Sequence, residues 1–273
     1  MESGRGGTLL EDVERQQWYH TIELAPGVVT PGWFDTRSIV DRVPLPGSLE
    51  GMRCLDIATG DGFWAFEMER RGAREVVAID VPDPRQWDWP PLSPPEAMGA
   101  LAARQRGGAG FQLARHALGS AVERREISVY DLDPADVGSF EFVYLGSLLI
   151  HLRDPVAALT RVRGVCRGRL LLVDNHEPGL SRLAPRIPLA RLDGRDRPWW
   201  WQANVAGVVR MVEAAGFEVA ERPRRLRMPA GRGQQSPPLR PRTLLDANRR
   251  RDLRNARRGD PHVALLARPR AEP

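Results

Sequence analysis

The stretch CLDIATGDGFWAFEMERRGAREVVAID, residues 54–80, decides how the rest of the chain is read. Its opening apolar run, Cys54 to Ile57, suits a buried strand. A tight turn follows, with Gly60 and Gly62 where bare backbone can approach a ligand. Residues 63–71 then carry apolar residues at helical spacing, and Gly72 stops them. A second apolar run, 75–80, closes on Asp80. Strand, glycine turn, helix and strand make one unit of a parallel sheet, and Gly60, Gly62 and Ala65 fit the G-x-G-x-x-A pattern of turns that receive adenosine-bearing cofactors.

Outward from this unit the alternation continues. A Pro- and Trp-rich loop, VPDPRQWDWPPLSPP, leads to a helix near 109–118. The spacing predicts strands at 125–130 and 141–145, and a helix behind Asp154 and Pro155, where the acid suits the cap and the proline the first turn. RLLLVD, 169–174, reads as the fifth strand, 204–215 as a helix ending at Gly216, and FEVAE as the sixth strand. Residues 222–261 have little periodicity, and HVALLARP, 262–269, returns as a last apolar strand. Alternating strands and helices predict an α/β fold, a mostly parallel sheet covered on both faces. A long excursion before the terminal strand permits an antiparallel insertion between strands five and six.

Composition narrows the function classes. At 273 residues the chain suits one decorated α/β domain. It contains no apolar run of about eighteen residues or more, so no membrane-spanning helix is expected. The polar start, MESGRGGTLLEDVERQQ, lacks the apolar core of a signal peptide, and a cytoplasmic protein is expected. Cys54 and Cys166 sit in apolar segments and read as buried free thiols. Every basic side chain other than histidine is arginine, so the choice of arginine at any one site carries little information. Their distribution carries more: residues 222–273 hold 15 Arg against 4 acids. Such a segment can attract RNA or a phosphorylated small molecule, or simply lie solvated.

The acids choose between cofactors. Asp56 precedes the glycine turn and Asp61 lies within it. Carboxylates there complement the ammonium and sulfonium of S-adenosylmethionine (SAM) and repel the pyrophosphate of a nicotinamide dinucleotide. Asp80 is placed to accept from both ribose hydroxyls, and Asp131, in SVYDLDP, from the adenine amino group. Ala58, Val81, Leu132 and Gly146 flank these positions and complete the expected cofactor-binding set, with no metal ligands among them.

On these motifs the chain resembles a known group. WYHTIELAPGVVTPGWFDTR, LDIATGDGFWAFEMERRGA, VVAID, SVYDLDP, GSLLIHLRDPVAAL and WWWQANVAGVVRMVEAAGF look like class I SAM-dependent methyltransferases of the tRNA (5-methoxyuridine-34) type, over about residues 17–220. The resemblance implies a Rossmann-like, doubly wound sheet of seven strands with the last strand antiparallel. Relatives of that type that use carboxy-SAM carry G-V-L-Y-H after strand four. Aligned on His151, this chain has Ser147 at the glycine and Ile150 at the tyrosine, which favours ordinary methyl transfer.

The expected division is an aromatic cap at 1–45, the SAM-binding core at 46–221, a basic insertion at 222–261 and the last strand and tail at 262–273. His151, just beyond strand four, is the candidate general base, against a purely structural histidine near the Asp154 helix start. Trp33, Phe34, Phe63, Trp64, Trp87, Asn175 and Trp200 are candidate lid or acceptor-pocket residues, against packing roles for the aromatics. Asp174, His176 and Glu177 follow strand five at the same edge, and His20 and Arg37 have no assignable role. Trp199, Trp200 and Trp201 cannot all face one core. The expected function is methylation of a small acceptor at oxygen or nitrogen. The alternatives are a tRNA wobble-uridine methyltransferase and a catalytically silent partner of the same fold.

Overall fold

The computed structural model describes residues 8–271 except Pro82, 97–98, 100–107, 196–197, 235–244 and Asp246, so part of the Arg/Pro-rich stretch lies outside the described residues. Eight strands build the main sheet: β1 (Arg53–Ile57), β2 (Glu75–Asp80), β3 (Glu123–Glu126), β4 (Phe140–Gly146), β5 (Cys166–Asn175), β6 (Phe217–Val219), β7 (Arg224–Met228) and β8 (Asp260–Pro269). Their spatial order is β6-β8-β5-β4-β1-β2-β3, with β7 also paired to β8. Strands β1 to β5 pair in parallel, and β8 runs antiparallel to β5, β6 and β7. The strand order reverses between β1 and β4, and in open α/β sheets ligands bind at such a switch point, outside the carboxyl ends of the strands.

Five helices matter here: α1 (Phe63–Arg70), α2 (Ala109–Ala117), α3 (Pro155–Val165), α4 (Val205–Ala214) and α5 (Ala247–Arg258). Asp154 caps α3 by accepting from the Ala157 amide, and Pro155 occupies its first turn. The continuous apolar run of β5 is buried on both faces. Leu171 and Val173 join one core with Trp18, Phe34, Trp64, Phe66, Phe111 and Tyr144, while Leu170 and Leu172 join the other with Leu159, Val162, Val208 and Val212. Each fully buried aliphatic side chain contributes about 1.5–3 kcal/mol. Cys54 and Cys166 are buried free thiols. No helix among the described residues is long and apolar enough to cross a membrane.

Two elements differ from expectation. The third strand lies at Glu123–Glu126, and the expected 128–130 portion is a 3-10 turn, Val129–Asp131, capped by the Ser128 hydroxyl. Its residues, ERRE, carry no apolar signal because this edge strand pairs only with β2, and side chains at both its ends are exposed. The apolar run ISVY, 127–130, favours a strand that starts two residues and ends four residues beyond the observed one. The sheet also has eight strands where seven are expected. The sixth position is split: β6 pairs with the end of β8, Ala220 donates to Leu266, and after three intervening residues β7 resumes along the same edge with Arg224 opposite Ala264.

Candidate functional site

The turn after β1 is built from left-handed backbone. Gly60 (φ +58°) and Gly62 (φ +92°) adopt it at no steric cost, and Ala58 (φ +59°) adopts it with strain. A Cβ on Gly62 would lie 2.5 Å from Phe66 and 2.8 Å from Phe111, so this glycine lets α1 and α2 close on the turn. A Cβ on Gly60 would meet only Tyr19, at 4.0 Å. Asp80, closing β2, accepts from the Gly60 amide through Oδ2 and from the Val81 amide through Oδ1, each at 2.8 Å. Asp56 is buried at the end of β1 and accepts from the Thr59 hydroxyl at 2.6 Å.

Asp61 meets the N-terminal segment. Its Oδ2 accepts from the Tyr19 and His20 amides, each at 2.7 Å, and its Oδ1 lies 2.6 Å from His20 Nδ1. The His20 ring stacks on Phe63, at 5.3 Å between centroids. Three carboxylates therefore crowd one turn. Burial raises Asp56 to about 7 and also raises Asp80, whose Gly60 amide bond and nearby Arg124 oppose the shift.

Beyond β4, Ser147 takes φ +51°, and its hydroxyl lies 3.0 Å from His262 Nε2. Asp174 is spent inside the fold: it accepts from the Leu148 and Leu149 amides at 2.8 Å and from Asn175 at 2.7 Å, which sets the turn leading to His151. His151 Nδ1 lies 2.5 Å from the Pro198 carbonyl and donates to it, so Nε2 carries the lone pair. Burial lowers the pKa of this ring.

Asp88 holds the neighbouring loops together. Its Oδ2 accepts from the Tyr130 hydroxyl at 2.9 Å and the Arg153 amide at 2.6 Å, and its backbone carbonyl accepts from Trp200 Nε1 at 2.6 Å. Trp87 donates to the Val81 carbonyl, and Trp200 donates its amide to Ile150 beside His151. The three tryptophans diverge. Trp199 lies under Arg251 (4.3 Å), Trp200 near Arg153 (5.7 Å), and Trp201 donates to the Arg153 carbonyl.

Several candidates sit elsewhere than expected. Trp64 is 3% exposed and stacks on Tyr144 at 4.7 Å, which makes it core and not lid, because position 64 on α1 faces the sheet. Phe34 is also core, with its ring edge-on to Tyr19 and His262 and its backbone bonded to Tyr19 and Thr21. Asp131 is exposed at the end of its 3-10 turn, and Leu132 is buried in the core. Trp33 is exposed, and Arg37 pairs with Asp35. Glu177 caps the short helix Pro178–Leu183, and Asn175 donates to Asp260. Gly146 ends β4, where a Cβ would lie 2.6 Å from the Tyr144 hydroxyl. Among the described residues, no group of three or more His, Cys, Asp or Glu side chains could hold a metal ion.

Residues 35–222 match the family described as a methyltransferase domain. The chain belongs to this family. The mixed sheet above gives that domain the class I methyltransferase fold. Among curated proteins, a tRNA U34 carboxymethyltransferase from Marinobacter nauticus is 29% identical over 188 residues, covering 66% of this chain and 48% of that protein. A ubiquinone biosynthesis O-methyltransferase from Alkalilimnicola ehrlichii is 34% identical over 116 residues, covering 41% of this chain and 36% of that protein. The chain thus spans half or less of the length of either relative. Among solved structures, the N-terminal domain of EvdMO1, crystallised with S-adenosylhomocysteine (SAH), is 17% identical, covers 96% of this chain and 95% of its own, and superposes with a TM-score of 0.53. That likeness is one of fold.

Sequence reasoning did not assign His20 or Asp88. His20 pairs with an acid 41 positions away, and Asp88 holds groups 42 and 65 positions away. The one local sign of the second is an acid between two tryptophans, WDW.

Proposed function

We propose that the chain methylates a small-molecule acceptor at oxygen or nitrogen, with SAM held at the glycine turn. The observation that carries the cofactor assignment is the acidic turn itself. Asp56, Asp61 and Asp80 surround Gly60, whose missing Cβ leaves open backbone. Such a cradle complements a sulfonium and an ammonium and disfavours a pyrophosphate. Each Asp80 oxygen takes one amide and retains a lone pair for a ribose hydroxyl. Ala58, Val81 and Gly146 flank that space in this reading, and Asp131, exposed at the end of its 3-10 turn, is the candidate for the adenine edge. When bound, SAM supplies a methyl group activated by positive sulfur.

The chain's own part is to position the acceptor and take its proton. His151 suits the proton transfer, because Pro198 holds its tautomer and the lowered pKa keeps Nε2 unprotonated near neutrality. Trp200, tied to Asp88, and Trp87 fence the approach and help exclude water. Calorimetric titration with SAH, SAM and NAD tests the reading. SAH and SAM are expected to bind, and Asp80→Ala to abolish both. Binding of NAD alone would overturn the assignment. Once an acceptor is known, His151→Ala is expected to lower kcat about 10²–10⁴-fold with SAH affinity unchanged.

A tRNA acceptor is the second reading. The exposed Arg254, Arg257 and Arg258 on α5 support it, as does the tRNA-modifying relative. Tight, steeply salt-dependent binding of tRNA would favour it.

A further inference from the structure

A concave cavity of about 320 Å³ opens beside the carboxyl end of β5, lined by Arg42, His176, Pro178, Arg182, Arg225, Leu226 and Arg227. Its four guanidiniums come from three separate elements. Arg42 ends the 3-10 helix Thr36–Arg42, Arg182 lies on the helix Pro178–Leu183, and Arg225 and Arg227 lie on β7. Arg225 and Arg227 are two apart on one strand, so both project from the same face of the sheet.

Among the described residues, no acidic side chain lines this cavity. Elsewhere the arginines of this chain usually come with carboxylates: Arg37 with Asp35, Arg53 with Glu75, Arg71 with Glu67, Arg125 with Glu123, Arg268 with Glu218. Among the described residues, Arg42, Arg182 and Arg225 have no such partner, and Arg227 donates only to the Gly259 carbonyl. Because all its non-histidine cations are arginine, the residue type itself proves nothing. The information lies in the convergence of four exposed guanidiniums on one concavity, whose summed field favours a small anion there. The same field reaches His176 on the cavity wall, only 8% exposed, whose pKa falls to about 4 through burial first and Arg225 second.

Position adds the rest. His176 and Pro178 also line an adjoining cavity whose wall includes Asn175, Ile150 (the residue before His151), and the acids Glu177 and Asp260. An anion held by the four arginines therefore sits against the candidate acceptor mouth. The volume lies at the low end of the roughly 300–1,000 Å³ usual for small-molecule pockets. Forked guanidiniums match a phosphate's oxygens in pairs. We infer that Arg42, Arg182, Arg225 and Arg227 form a subsite for a phosphate group carried by a small acceptor. That the phosphate belongs to an acceptor rests on the methyltransferase reading, whereas the anion site itself does not.

The test uses the full chain, with inorganic phosphate as probe. Saturable binding is expected by calorimetry, with a rise in Tm that chloride at equal ionic strength does not reproduce. The double variant Arg225→Ala/Arg227→Ala, and separately Arg182→Ala, should weaken phosphate binding about tenfold or more through the loss of charge-assisted hydrogen bonds. SAH affinity should stay unchanged in both, which also reports that they fold. Phosphate binding that is absent, or equal in wild type and variants, would overturn the subsite. If a short single-stranded RNA binds through these arginines far more tightly than phosphate does, the small-acceptor assignment falls and the groove belongs to nucleic acid. If wild type binds phosphate but not SAH, the methyltransferase reading fails while the anion site stands.

Discussion

At the residue scale the glycine turn concentrates the informative side chains. Ala58 holds a left-handed φ of +59° that glycine would adopt without strain. Ala58→Gly is therefore expected to stabilise the protein by about 0.5–1 kcal/mol in denaturant titration. Asp56, pushed up to about 7 by burial, is half protonated near neutral pH. A cationic ligand at the turn favours its ionised form, so SAM affinity should rise with pH through about 7, while SAH, which lacks the sulfonium charge, should change less. Asp56→Asn should flatten the difference in calorimetry at pH values either side of that point. The sequence pointed to Asp56, Gly60, Gly62 and Asp80 because their spacing is local to one strand-turn-strand unit. It left His20 unassigned, since the meaning of that ring depends on Asp61, 41 positions away.

At the element scale, helices and buried strands were legible and the edges were not. Strands β1, β2 and β5 announce themselves because both faces are buried, so the apolar run is continuous. Strand β3 has one neighbour and a charged sequence, so its place depends on pairing with β2. The break between β6 and β7 depends likewise on β8, which is remote in sequence. Trp64 shows why aromatics near a ligand turn mislead: on α1 its position faces the sheet and packs on Tyr144. Trp64→Ala should cost about 3–5 kcal/mol of unfolding free energy, the cost of a cavity in the core. Asp154→Ala should cost about 1 kcal/mol by uncapping α3.

At the scale of the whole molecule, loops from distant parts of the chain converge on the carboxyl edge of the sheet. Asp88 ties the loop after β2 to Tyr130, Arg153 and Trp200. Asp88→Ala, which removes the carboxylate but keeps the carbonyl that holds Trp200, should speed amide hydrogen exchange at 149–153 with the sheet core unaffected. His176, buried with a pKa near 4, stays neutral in the folded state, whereas an unfolded imidazole titrates near 6.5. The unfolded chain binds more protons between those values, so His176 withdraws stability as pH falls from about 6.5 to 4. Tm measured across that range should decline less in His176→Gln. The α/β alternation and the glycine turn with its acids were readable along the chain, because those signals lie within runs of adjacent residues whose spacing is set by backbone geometry. Which aromatics became core, how the N-terminal segment meets Asp61, and the sharing of one cavity by four arginines from three elements emerge only in the folded chain. Those outcomes depend on contacts between residues tens to more than a hundred positions apart, and local spacing carries no record of them.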